Sequence, residues 1–423
     1  MKRLVVLSLF ILGSSFQAYP QNIKLSKYQL RDAPMIGRVG NVTVHEGGFS
    51  GLHYLQGSDH EYYLITDRGP NADATAANGG KETVLFLFPD FAPKILRVRA
   101  EGDSLRVLAM MTLKRPGRTN ASGLPNPAGF GNTGEIAWID TNKTSATPDE
   151  WGIDSEGIAA GRNNDLWICD EYGVSVWRVN KTTGEVIVRY SPYGNSANNI
   201  AIAPVFVKRR PNRGFEGIAV TPNGKVYTIV QSPMYNPDKT SGQSSRLHRI
   251  LEIDPETNVT RMFAYEHEPA IASIRSQDWK IGDMAAINNQ EFLVLEYARG
   301  QGDEVKKIFK ISLANATPIT KEDFGGKTFE QLNDAVTCLA NGITPVAKTL
   351  FMDLLANGWE PSHDKAEGLT IINDTTIAVI NDNDFGIDSP HADGKVVRTG
   401  KISTLYQYTV PESMALNFVP LRD

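Results

Sequence analysis

Cysteine is nearly missing from this chain. Its 423 residues include two, Cys169 and Cys338, which excludes a disulfide-built scaffold. Cys169 lies in the apolar run "LWICDE" and reads as a small buried hydrophobe. Stability must therefore come from a core, and a chain this long with 41% hydrophobic residues can build one. Basic runs are absent and the formal charge is −5, which argues against nucleic-acid partners. Beyond the N-terminus no stretch approaches the ~20 apolar residues of a membrane-spanning helix. The seven histidines show no metal-ligand spacing. No G-x-S-x-G elbow occurs, which argues against an α/β-hydrolase serine esterase. P-loop and dinucleotide fingerprints are missing too.

What is present begins with "MKRLVVLSLFILGSSFQAYPQ". Lys2 and Arg3 precede a short apolar run and then small or polar residues, the pattern of a secretory signal peptide. Residues 1–20 are assigned to it, and 21–423 to one domain. The expected location is outside the cytoplasm, periplasmic or extracellular.

Five segments share a grammar: "GFSGLHYLQGSDHEYYLITDRGP" (48–70), "DSEGIAAGRNNDLWICDEYG" (154–173), "GFEGIAVTPNGKVYTIVQSP" (214–233), "IGDMAAINNQEFLVLEYARG" (281–300) and "KAEGLTIINDTTIAVINDNDFG" (365–386). A small or acidic residue leads into an apolar run. A polar turn follows, then a second run rich in aromatic and β-branched residues. That is a β-hairpin, and a further strand or strand pair follows each. Repeated four-stranded units predict an all-β fold, a β-propeller of five to seven blades with six favoured. The long gap between the first two segments leaves room for a degenerate blade around "GEIAWID" (134–140). "TFEQLNDAVTCLA" (328–340) reads as a small helical insertion. "KLSKYQL" (24–30) is placed to pair with the last blade and close the ring.

The innermost strand of each propeller blade lines a central channel. The acidic residues that open the segments, Glu156, Glu216, Asp283 and Glu367, are thus expected to form one ring and to carry catalysis. Such a ring is self-repelling and needs cations. Oxygen ligands suit a hard cation: calcium, or magnesium as the alternative. Asp154, Asp170, Glu171, Glu296, Asp382 and Asp384 are the expected metal ligands. Asp382 and Asp384 sit in "NDNDFGID", half of a calcium loop without its distal glutamate. Arg68, Arg213 and Lys365 adjoin the motifs and are expected to grip a substrate anion.

In order along the chain, "GLPN" (123–126), "DSEGI" (154–158), "WICDEYGVSVWR" (167–178), "RGFEGIAV" (213–220), "QSP" (231–233), "GDMAAI" (282–287), "LEY" (295–297), "EGL" (367–369) and "NDNDFG" (381–386) resemble the phytase-like family, described as "esterase-like activity of phytase". The resemblance spans roughly residues 45–410. It implies an exported propeller that hydrolyses phosphate or other anionic esters. Two alternatives are a lactonase-type propeller hydrolase and a non-catalytic binding propeller.

Overall fold

The computed structural model describes residues 22–194, 198–388 and 395–421. The signal segment 1–20 lies outside the described residues. Among those residues, strands dominate, and two six-residue α-helices, Lys239–Ser244 and Ala335–Ala340, accompany short 3₁₀ turns. None of the helices is long and apolar enough to cross a membrane.

The strands pair into five antiparallel blades. Blade one runs through Phe49–Tyr54, Glu61–Thr66, Lys94–Glu101 and Ser104–Thr112. Blade two uses Ser155–Ala160, Asp165–Asp170, Ser175–Asn180 and Val186–Ser191. Blade three uses Phe215–Val220, Val226–Val230, Leu247–Asp254 and Val259–Glu266. Blade four uses Lys280–Ala286, Glu291–Arg299, Glu304–Ser312 and Ala347–Asp353. Blade five takes Lys365–Asn373, Thr376–Asp382 and Thr404–Thr409 from late in the chain, and its outer strand, Lys24–Gln29, from the beginning. The ring closes as a propeller, with the N-terminal strand as its clasp.

The packing gives the same number. The two inner strands of each blade are buried on both faces, so they read as nearly continuous apolar runs. Five apolar clusters fill the five gaps between neighbouring blades. Ile65 and Ile95 meet Ile168 and Trp177. Cys169 and Val176 meet Phe215 and Leu251. Ile229 and Ile250 meet Met284 and Val294. Leu295 and Ile308 meet Val379 and Tyr406. Ala378 and Leu405 meet Leu64 and Leu96. Both cysteines are buried and free.

The favoured sixth blade is not there. Ile136–Trp138 instead joins Thr83–Phe86 and Asn71–Asp73 in a separate three-stranded sheet, built from the long connections around blade one. The expected helical insertion, 328–340, is a 3₁₀ turn, Glu330–Leu332, and the helix Ala335–Ala340, inside the connection before the last strand of blade four.

Glycines let the inner strands meet near the axis. A Cβ on Gly51 would stand 2.8 Å from Gly157 Cα, one on Gly217 2.6 Å from the Met284 nitrogen, and one on Gly368 2.6 Å from the Leu52 nitrogen. This neck separates a polar cup on one side from a recess of mixed polar and apolar lining on the other. The C-terminal Phe418 and Val419 line the recess.

Candidate active site

Each inner strand carries a β-bulge at its entry. The pairing skips one residue between Phe49 and Gly51, Ser155 and Gly157, Phe215 and Gly217, and Ile281 and Asp283, and two between Ala366 and Leu369. An extra residue at a bulge is freed from the ladder and re-aimed. The re-aimed residues are Ser50, Glu156, Glu216, Gly282 and Glu367, and all but the glycine line the cup. A second tier comes from the neighbouring strand. The residues it pairs with the position just before each bulge are Thr66, Asp170, Val230, Glu296 and Asn381. The next residues on, Asp67, Glu171, Gln231, Tyr297 and Asp382, line the cup. The acidic residues at strand entries are thus two stacked rings around one axis.

This register sorts the expected residues. Glu156, Glu216, Glu367, Asp154, Glu171, Asp382, Asp384, Arg68, Arg213 and Lys365 all line one cavity of about 520 Å³. Three others do not. Asp283 stands at the position that is glycine in the other blades. Its carboxylate accepts backbone N–H groups from Met284 at 2.7 Å, Leu369 at 2.7 Å and Ile218 at 3.3 Å, which bolts blade four to both neighbours. Asp170 and Glu296 fall one residue short of the cup, and side chains alternate along a strand. Asp170 accepts from the Asp154, Tyr172 and Gly173 backbones and the Ser175 hydroxyl. Glu296 takes Lys348 at 2.6 Å and the Tyr265 hydroxyl.

Sequence reasoning missed Lys280, Arg210, Lys239 and Gln231 as lining residues, and offered Tyr235 and Tyr297, which also line the cup, only as a sugar-binding face of the alternative binding propeller. Lys280 carried a signal. It stands two residues before its blade's bulge, as Asp154 and Lys365 do. Gln231 donates from Nε2 to Glu171 at 2.6 Å and to Glu216 at 2.9 Å, holding two carboxylates apart. Tyr297 donates to Glu367 at 3.1 Å.

Charge in the cup is sorted rather than neutralised. Arg68 pairs with Glu135 at 2.9 Å and Asp154 at 3.5 Å. Lys365 bridges Asp382 at 2.5 Å and Asp384 at 2.6 Å. The remaining charges find no ion-pair partner among the described residues: the cations Arg210, Arg213, Lys239 and Lys280, and the carboxylates Asp67, Glu82, Glu156, Glu171, Glu216 and Glu367. Burial, then Asp154, pushes Glu171 up to about 8. Burial, then Asp382, pushes Glu367 up to about 7. Glu156 and Glu216 are lifted well above the usual carboxylate range by burial and by their acidic neighbours. Burial and then Arg213 lower Lys280.

Asp154, Glu156 and Glu171 each offer an oxygen within 4.8 Å of the others. An all-oxygen, multiply anionic donor set with no histidine or thiolate fits a hard cation.

The model of the family described as "Phytase-like: Esterase-like activity of phytase" matches residues 44–385, most of this chain. The chain belongs to the phytase-like family. Besides that match, this phytase-like protein is 23% identical over 245 residues to an uncharacterized secreted protein of Arthroderma benhamiae. That match covers 48% of this chain and 47% of the fungal protein, so it spans about half the length of the curated relative. Among solved structures, aldose sugar dehydrogenase from Streptomyces coelicolor in its PQQ-bound form is 12% identical, over 92% of this chain and 99% of that one, at a TM-score of 0.33. Virginiamycin B lyase from Staphylococcus aureus is 9% identical, over 92% and 99%, at 0.30. The fold of the phytase-like chain stands on its own strand pairing and inter-blade cores.

Proposed function

We propose that this phytase-like protein is an exported hydrolase of phosphate or other anionic esters, dependent on a divalent cation and acting in the cup. The observation that carries this is the set of unpaired charges. Four cations and six carboxylates share one cavity without ion-pairing to one another. Buried and half-buried charges without partners are costly, and all of these but the exposed Lys239 and Glu82 are buried or half-buried. Here each set has its own external counter-ion to meet: a cation for the acids, an anion for the bases.

Asp154, Glu156 and Glu171 would hold the cation, with calcium the first choice and magnesium the alternative. When bound, it would offset the carboxylate repulsion and polarise the ester. Arg210, Arg213, Lys239 and Lys280 form a cationic arc that binds the anionic end of the substrate. Glu367, lifted to about 7 and held through one oxygen by Tyr297, suits exchange of a proton with water near neutral pH. Gln231 keeps Glu171 and Glu216 in fixed orientations. The N-terminal signal pattern and the secreted fungal relative support export.

The test is the metal content of the purified mature protein, followed by turnover of p-nitrophenyl phosphate and p-nitrophenyl acetate with and without EDTA. Stoichiometric calcium and EDTA-sensitive turnover are expected. Turnover of lactones alone would move the assignment to a lactonase. Metal-free protein inert towards all these substrates would overturn the hydrolase and leave a binding propeller.

A further inference from the structure

The connection 313–346 leaves blade four and packs on blade three rather than on its own sheet. Ile319, Phe324, Phe329, Leu332, Cys338 and Ile343 share a core with Leu247 and Ala264. At its centre Glu330, fully buried, pairs with the equally buried Arg249 at 2.7 Å. Arg249 also holds Glu322 at 2.7 Å, so its charge is over-compensated from the insertion. The second Glu330 oxygen accepts the Asn236 side-chain amide at 2.8 Å. Thr328 donates its hydroxyl to the Asn236 carbonyl, also at 2.8 Å. Both polar ends of Asn236 are therefore fixed by the insertion.

Asn236 is not a lining residue of consequence in itself, but its neighbours are. Tyr235 precedes it, and Lys239 follows three residues later; both line the cup. The Arg210 guanidinium lies over the Tyr235 ring at 5.7 Å. The helix Lys239–Ser244, capped by Asp238 through Ser241 at 2.8 Å, packs against Glu330–Leu332. Tyr235 and Lys239 thus sit on a loop whose anchor comes from another blade, and Arg210 rests on that loop through the Tyr235 ring.

We propose that the blade-four insertion sets anion recognition in the cup, with Glu330 as a positioning residue acting through Asn236 on Tyr235 and Lys239. This rests on the reading above, that the cationic arc binds the substrate anion. A buried charge pair with both partners fully desolvated is a poor source of stability. Its geometric effect is to fix one loop conformation, and misplacing binding groups weakens a ligand without touching it.

The experiment is titration calorimetry of the full mature protein with inorganic phosphate in magnesium buffer, and separately with calcium. Lys239→Ala is expected to weaken phosphate binding about fivefold. Glu330→Ala is expected to weaken it by a similar factor and to hold calcium affinity within about twofold. The double variant is expected to be no weaker than either single one, since both remove the same placed charge. If Glu330→Ala does not fold, Thr328→Val, which removes the bond to the Asn236 carbonyl, takes its place in the same cycle. A folded variant with unchanged phosphate affinity, or additive losses, overturns the positioning role. Wild-type protein that binds calcium but no phosphate overturns the anion-site reading itself, and the positioning role with it.

Discussion

At the scale of single residues, two buried acids a few ångströms from the same axis have opposite fates. Asp283 has its oxygens engaged by three backbone N–H groups from three blades. Glu216 has one glutamine and an open cavity. Asp283→Ala should therefore cost about 3 kcal/mol, read by denaturant unfolding, because it strands buried donors. Glu216→Gln should leave the melting temperature unchanged and cut cation-dependent turnover at least ~100-fold. Equal stability for both variants would contradict the placement of Asp283. The same residues fix a pH dependence. Glu171 at about 8 and Glu367 at about 7 both titrate above their ordinary value of 4.5 when folded. Between those limits the folded state binds more protons than the unfolded chain, so stability falls as pH rises through the window. In EDTA the melting temperature should be about 5 °C or more lower at pH 8.5 than at pH 5.5. Calcium should restore it at pH 8.5, since it replaces the protons. A flat profile in EDTA would refute the raised carboxylates.

At the scale of the element, the bulge decides what the sequence reveals. The apolar runs and Asn/Gly turns made the hairpins legible, and three ring glutamates with them. Asp283 was aligned with those glutamates because an acid before an apolar run looks the same on either side of a bulge. One residue of slip turns a cup residue into a bolt. The same slip added Asp170 beside Glu171 and put Glu296 in place of Tyr297. Lys280 was lost for the same reason, since its spacing is informative only once Gly282 is recognised as the bulge. Gly282 also has its own constraint. A Cβ there would stand 2.5 Å from the Ala366 carbonyl oxygen of the next blade, and backbone cannot yield as a side chain does. Gly282→Ala should cost about 2 kcal/mol or more in chemical denaturation. A neutral substitution would show that the bulge relaxes freely.

At the scale of the whole molecule, blade number was the part that sequence spacing could not supply. The gap before blade two is filled by a three-stranded sheet, and pattern alone does not tell a short sheet strand from part of a blade. What settles the number is the count of inter-blade cores, a property of packing. Ring closure is more local and was legible: alternating Leu25, Lys27 and Gln29 meet Tyr408, Tyr406 and Thr404 in register. Removing residues 22–30 should unzip blade five and expose the edge of Thr404–Thr409. The expected result is loss of the cooperative melt, together with loss of turnover, since Glu367 sits on that blade. A truncated protein that melts as the full chain does would show the clasp to be dispensable.

That clasp also sets an order of events. The strand Lys24–Gln29 is among the first parts of the described chain to be made, and its partner Thr404–Thr409 among the last. No intermediate length of chain can join them, and contacts so distant along the chain form late. A chain threading a membrane N-terminus first would carry one half of its fastening across long before the other. The charged cup, which depends on a finished ring, would then be assembled only on the far side.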